Sequence, residues 1–367
     1  MLLYLHADLH LKRKQMKKYT IPGLILFIFL LVSCESGGEG GGEIGPDTPV
    51  LKVLGPTAIS ETGFQLNWSI TNPVGFETIL ILVAEDKEMT EIVRYVEEDD
   101  KLVQNVPLSG LDGATTYFYR ISLMNQGVTV TESEIKSVET SYKFESTSLI
   151  TEDDYTLSAK LSYLESIQGK RPGIIMMHEF GVWVNPWIGS DLTKQLVADG
   201  YVCLTFFFRG HGTSTPVDDL MDLINDKSWL AKDLQAAIDF MKEHEQVSDN
   251  LGLIGGSMGA IAALAGNGYE EVLTSVALSP TRDGVFLLFP DMTLSSVYYL
   301  AGELDIRDQQ GADFPAEANA LYDLTEEPRK LNIIPGTSDH GSNLLSRDSL
   351  NASVEEWFLQ YLPLSNQ

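Results

Sequence analysis

Leu251-Gly252-Leu253-Ile254-Gly255-Gly256-Ser257-Met258-Gly259-Ala260-Ile261-Ala262-Ala263-Leu264-Ala265 is the stretch on which the reading of this chain turns. Residues 251–254 are a short apolar run of strand type, and residues 260–265 are alanine-rich and helical. Between them stands Gly-Gly-Ser-Met-Gly, a G-x-S-x-G sequence joining strand to helix. So tight a turn forces its central residue into strained dihedrals, and its flanks must lack side chains that would clash. Gly255 and Gly259 meet that demand and Gly256 adds room, which leaves Ser257 displayed as a candidate nucleophile.

A serine hydroxyl needs a base within hydrogen-bond reach, and the base needs an acid to orient it. Of the six histidines, His6, His10, His178, His211 and His244 precede Ser257. His244 closes an amphipathic helix and reads as a solvated cap favoured by the helix dipole. Only His340 follows the serine, in Gly336-Thr337-Ser338-Asp339-His340-Gly341, directly after the apolar run 331–334. The acid is expected at the end of Val297-Tyr298-Tyr299-Leu300-Ala301-Gly302-Glu303-Leu304-Asp305. Asp305 is the first choice, with Glu303 and Asp308 as rivals.

From residue 143 onward strands alternate with helices, the pattern of a mainly parallel sheet. Strands are expected at 173–177, 202–208, 251–254, 275–278, 296–301 and 330–334, with helices at 192–199 and 230–244. With serine, acid and base in this order, residues 142–361 resemble the α/β-hydrolase superfamily. The resemblance implies an eight-stranded α/β sheet flanked by helices over 143–367, with Ser257, Asp305 and His340 as the triad of a serine hydrolase. It also implies two oxyanion donors. One is the backbone amide of Met258. The other comes from His178-Glu179-Phe180-Gly181-Val182-Trp183, which is similar to the HG or HE-x-x-G loop of dienelactone hydrolases and acetyl xylan esterase-like enzymes. By that match Phe180 is the donor, Glu179 the alternative, and His178 and Glu179 supporting residues.

Phe208-Arg209-Gly210-His211-Gly212-Thr213-Ser214 resembles the R-G-H-G-x-S segment of many α/β-hydrolases, in which Arg209 and His211 are expected to hold their own loop. Dienelactone hydrolases proper use cysteine where this chain has Ser257, which favours ester hydrolysis over their particular substrate. The connection 279–294 is too short for the helical lid of many relatives, so an open site is expected. Trp183 and Trp187 are either an apolar wall for a substrate or loop packing.

Ahead of this region the chain changes character. Residues 16–34, MKKYTIPGLILFIFLLVSC, resemble a bacterial lipoprotein signal, with translation expected to begin at Met16, cleavage after Ser33 and lipid added to Cys34. Residues 34–48 are a glycine-rich acidic tether, similar to the surface-export signals of Bacteroidetes lipoproteins. Residues 49–142 alternate with period two between turn signals. The run Leu111-Asp112-Gly113-Ala114-Thr115-Thr116-Tyr117 is similar to the approach to strand F of a fibronectin type III sandwich, with Tyr117 as its corner tyrosine and Trp68 in its core.

The whole chain has 25 basic and 52 acidic residues. Without residues 1–33, which hold five basic and one acidic, 20 stand against 51, a net charge of −31. That balance argues against nucleic acid as a partner, and membrane attachment would rest on the lipid at Cys34. Cys203, left as a lone thiol, is expected buried and inert. No cofactor or metal-ligand spacing is present. These features together suggest an outer-membrane lipoprotein, on the cell-surface or periplasmic face, that hydrolyses a small or polysaccharide ester. A peptidase resembling the prolyl oligopeptidase group and an inactive surface binding lipoprotein are the alternatives.

Overall fold

The computed structural model describes residues 48–307 and 311–364. The leader 1–33, Cys34, nearly all of the tether and Asp308 lie outside the described residues. The chain divides into two compact units. Of the described residues, one holds 48–59 with Gly63–Gly110 and Thr116–Thr140, and the other holds Ser60–Thr62, Leu111–Thr115, 141–307 and 311–364.

The second unit is built on an eight-stranded sheet. Its strands are β1 (Lys143–Ile150), β2 (Thr156–Tyr163), β3 (Arg171–Met177), β4 (Val202–Phe206), β5 (Val247–Gly256), β6 (Val272–Leu278), β7 (Ser295–Gly302) and β8 (Glu326–Ile334), and their spatial order is β1-β2-β4-β3-β5-β6-β7-β8. β1 and β2 run antiparallel, as do β2 and β4, while every neighbouring pair from β4 through to β8 is parallel. The polar alternation of β1, Lys-Phe-Glu-Ser-Thr-Ser, suits an edge strand with one wet face. β3 is buried at all seven positions, as a central parallel strand must be.

The pleat sends neighbouring residues of β3 to opposite faces of the sheet. Ile174 and Met176 pack with helix α1 (Asp191–Asp199) and helix α6 (Asp348–Tyr361) through Leu192, Leu196, Val354 and Phe358. Ile175 and Met177 face the other layer, formed by α3 (Ser228–Glu243) and α4 (Met258–Ala265), through Leu230, Leu234, Met241 and Ile261. Between these lies the single-turn α2 (Asp222–Asn225), and α5 (Phe314–Asp323) packs Ala318 and Leu321 on Val297 and Tyr299 of β7. Local signals set the ends of α1. The Ser190 hydroxyl accepts the Thr193 N–H at 3.2 Å, and Gly200 with φ 113° closes the helix. Cys203 lies fully buried in β4, and burial pushes its thiol far above the usual range.

The first unit consists of two sheets. In one, Gly63–Thr71 pairs antiparallel with Val50–Val53 and with Asn105–Ser109. In the other, Thr78–Ala84 and Thr116–Asn125 form an antiparallel centre flanked by Ile92–Glu98, Val128–Glu132 and Lys136–Glu139. Alternate residues are buried: Phe64, Leu66 and Trp68 on the first sheet, Ile79, Ile81, Val83, Tyr117, Tyr119 and Ile121 on the second. The Phe64 and Tyr117 rings meet with centroids 6.3 Å apart.

One contact places everything that follows. The start of α4 lies directly on the end of β3, so a Cβ on Gly259 would overlap the Met177 carbonyl, and one on Gly255 would overlap Gly259. Both obstacles are backbone and cannot step aside. Gly259→Ala is therefore expected to lower the stability of the full chain by about 2 kcal/mol or more, measured by urea unfolding. Wild-type stability would mean that α4 can move off β3 at little cost.

Candidate active site

In a parallel sheet the loops that can meet are those beyond the carboxyl ends of the strands. Four of the candidate site residues stand there: Phe180 after β3, Ser257 after β5, Asp305 after β7 and His340 after β8. Ser257 has φ 51° and ψ −108°, a conformation that L residues rarely adopt, and it passes straight into α4. Its N–H donates to the Leu278 carbonyl at 2.8 Å and its own carbonyl accepts the Ile261 N–H at 3.1 Å, so the turn is pinned on both sides. Gly256 has less room than the sequence suggests. A Cβ there would meet the Glu179 carboxylate and lie 3.0 Å from Gly341 Cα, beside His340.

His340 Nδ1–H donates to Asp305 Oδ2 at 2.7 Å, and the carboxylate is 98% buried, with a relative exposure of 2%. The Phe314 ring meets the imidazole edge-on at 4.5 Å, and Arg307 Nε lies 3.6 Å from Asp305 Oδ1. Glu303 is engaged elsewhere, its Oε2 accepting the Gly336 N–H at 2.7 Å. With Nδ1 held by a carboxylate, Nε2 is left as the basic nitrogen. Among the described residues the Ser257 hydroxyl has no hydrogen-bond partner, so the structure brings Asp305 and His340 together and leaves Ser257 unbonded. Such bonds often tighten only when substrate is present.

The loop after β3 is set by two buried histidines. His178 Nδ1–H donates to the Glu179 carbonyl at 2.6 Å, and Nε2 accepts the Phe208 N–H at 3.1 Å. His211 repeats the arrangement, with Nδ1–H on the Arg209 carbonyl and Nε2 accepting the Gly181 N–H, both at 2.9 Å. The two rings lie 5.1 Å apart, tilted by 55°, and the Phe180 ring stands edge-on to His211. A trans peptide directs its C=O and N–H in opposite senses. With the Glu179 carbonyl turned to His178, the Phe180 N–H points away from that ring, while the neighbouring Gly181 N–H is already used. Met258 is the first residue of α4, and its N–H has no intrahelical acceptor.

Several expectations need correction. Arg209 and His211 do not merely hold their own loop. Arg209 bonds the fully buried Asp233 at 2.8 Å and grips both oxygens of Asp153, while His211 reaches across to Gly181. The Arg209 guanidinium holds the Asp153 carboxyl well below the usual carboxylate range. Trp187 is 1% exposed and packs with Leu192 and Leu196, so it is core, whereas Trp183 is 68% exposed beside the site loop. His244 is the C-cap of α3, as expected, but it is half-buried between Tyr163 and Phe240 and burial lowers its pKa, so the cap is not fully solvated. Ser279 was not singled out, yet its hydroxyl touches both the acid and the histidine loop. The available signal was its place, a polar residue just beyond an apolar strand.

Residues 174–361 match the model of the alpha/beta hydrolase family, a span that includes Phe180, Ser257, Met258, Asp305 and His340. The chain belongs to the alpha/beta hydrolase family. No curated protein matches this hydrolase. Among solved structures it is similar to an esterase of Pyrococcus furiosus, at 19% identity over 60% of this chain and 93% of the other, with a TM-score of 0.46. It is likewise similar to a dienelactone hydrolase of Anabaena variabilis, at 17% identity over 60% and 98% with a TM-score of 0.46. The esterase domain of a Rhodothermus marinus protein matches at 18% identity over 60% and 99%, with a TM-score of 0.43.

Burial pushes the His178 pKa down to about 3, and that of His211 is lowered by the same cause. An unfolded histidine titrates near about 6.5, so acid below that value protonates the unfolded chain and not the buried ring. The stability held by the neutral imidazole is therefore complete above pH 6.5 and is lost as the pH falls toward 3. In this hydrolase the slope approaches about 1.4 kcal/mol per pH unit from His178 alone. His178→Gln is expected to be less stable at pH 7.5 but to lose stability less steeply between pH 6.5 and 5, read from urea midpoints. Parallel curves would show that His178 is not held neutral.

Proposed function

We propose that this hydrolase is a serine carboxylic-ester hydrolase working outside the cytoplasm through Ser257, His340 and Asp305. The observation that carries the reading is the bond from His340 Nδ1–H to the buried Asp305, with Ser257 held in a strained turn beyond β5 at the same edge of the sheet. In the first half-reaction His340 Nε2 takes the Ser257 proton as Oγ bonds to the ester carbonyl carbon. The backbone N–H groups of Met258 and Phe180 receive the oxyanion, each contributing about 3 kcal/mol to the transition state. The tetrahedral adduct collapses, the carbon–oxygen bond to the alcohol breaks, and the alcohol leaves with the proton from His340. Water then gives its proton to His340 while attacking the acyl-serine, and the acid departs as Ser257 recovers its hydrogen.

An acyl group carried on a polysaccharide is the substrate class we favour. The connection from Ser279 to Leu294 holds no helix that could close over the site, which leaves space for a bulky alcohol side. Trp183, largely exposed on the loop after β3, offers a face for a sugar ring or an acyl group. The N-terminal unit is read as a fibronectin type III-like sandwich that spaces the enzyme from the outer membrane, with Cys34 as the lipidated anchor. Its burial of Trp68 and Tyr117 supports the sandwich.

The full chain should be labelled by a fluorophosphonate probe, and labelling should vanish in both Ser257→Ala and His340→Ala. Hydrolysis of short-chain nitrophenyl esters should fall by about 10⁴-fold or more in each variant. Labelling that survives Ser257→Ala, or a folded wild type that never labels, would remove the nucleophile assignment.

A further inference from the structure

Ser279 follows β6 directly, is fully buried, and has φ 48°, a left-handed conformation that favours glycine. Backbone strain of this kind persists only where the surroundings enforce it, and it gathers at functional sites. Three bonds enforce it here. The Ser279 N–H donates to the Leu300 carbonyl of β7 at 2.7 Å. Its hydroxyl donates to Asp305 Oδ2 at 2.8 Å, and Ser279 Oγ in turn accepts the Gly341 N–H at 3.0 Å. The preceding residue, Leu278, accepts the N–H of Ser257. Leu278 and Ser279 thus touch the nucleophile, the acid and the loop of the base at once.

Asp305 Oδ2 receives two donors, the Ser279 hydroxyl and His340 Nδ1–H, which between them use both of its lone pairs. The carboxylate is buried, so each donor fixes its rotation. Gly341, next to His340, is held from the other side: the Ser342 N–H bonds the Glu179 carboxylate, which also lies against Gly341. The hydroxyl of Ser279 is bonded both to the acid and to the loop that carries the base. We propose that Ser279 is a positioning residue of the active site, which fixes Asp305 and the His340 loop relative to each other and sets the angle at which the imidazole meets Ser257. A purely structural role would be served better by glycine, which adopts φ 48° without cost. The serine accepts strain for the sake of its hydroxyl.

This inference rests on the triad reading above, and paired variants separate the two. Ser279→Ala keeps the strain and loses the hydroxyl, while Ser279→Gly loses both. Both full-length variants should show kcat lowered about tenfold to a hundredfold, the range for a lost hydrogen bond to a buried charged group, with KM within about twofold of wild type. The Gly variant should melt about 2–4 °C above the Ala variant. The low-field proton resonance of His340 Nδ1–H, assigned by its loss in His340→Ala, should shift or broaden in both. Wild-type kcat in a folded Ser279→Gly protein would overturn the proposal, as would a fall in kcat with that resonance unmoved. If Ser257→Ala itself kept full turnover, the triad reading would fail. The resonance would then still report whether Ser279 orders the Asp305–His340 pair.

Discussion

The contact between the first turn of α4 and the last residues of β3 governs this molecule. Gly259 must sit against the Met177 and His178 carbonyls, and Gly255 against Gly259, with no space for a Cβ at either position. Because the helix starts there, Ser257 takes φ 51° and Met258, as the first residue of α4, has an amide with no intrahelical acceptor. The placement of Ser257 and Met258 is a consequence of one close approach between a helix and a strand. Parallel pairing from β3 through β8 then brings Asp305 and His340 to the same edge.

Around that edge lie polar groups that a core would ordinarily exclude. His178, His211, Arg209, Asp233, Ser279 and Asp305 are all nearly or wholly buried, and each has a partner. Burial without partners would cost several kcal/mol in all. Paired, the same groups make loop positions discrete, because a displaced loop leaves a buried donor or acceptor unsatisfied. The Phe180 peptide shows the effect. Its orientation follows from an imidazole that is neutral because it is buried, and that neutrality is what allows His178 and His211 each to donate from one nitrogen and accept with the other.

How much of this was legible in the sequence follows from the range of each signal. The strand-turn-helix at Ser257 could be read because glycine spacing and hydrophobic period are local, and His340 because no other histidine follows the serine. Strand ends ran longer than their apolar cores, as at β8, where Glu326-Glu327-Pro328-Arg329-Lys330 pairs along β7 despite its polar letters. Edge-strand pairing, not hydrophobicity, decides such residues. The hairpin of β1 and β2 was likewise not resolved from 143–163, since its outer strand alternates with polar residues. Trp187 and Trp183 are four residues apart in one loop, and only packing separates the core residue from the exposed one. Ser279 carries no motif at all, because its role is in contacts to residues 26 and 62 positions away.

The strained residues help to locate where this fold spends stability. Ser257 and Ser279 both hold positive φ at the ends of neighbouring strands, and the N–H of the first is bonded to the residue before the second. Relief of either turn requires the other to shift, so the pair behaves as one unit. A rigid arrangement of this kind suits acyl transfer, in which donors must already point at the place where charge develops. It also accounts for the buried polar groups at the carboxyl ends of the strands, His178, Ser279 and Asp305 among them, while the layers between the sheet and α1, α6 and α3 are mainly aliphatic and aromatic. The apolar layers supply the stability from which the strained edge draws, and the hydrogen-bonded frame keeps that strain directed at the site.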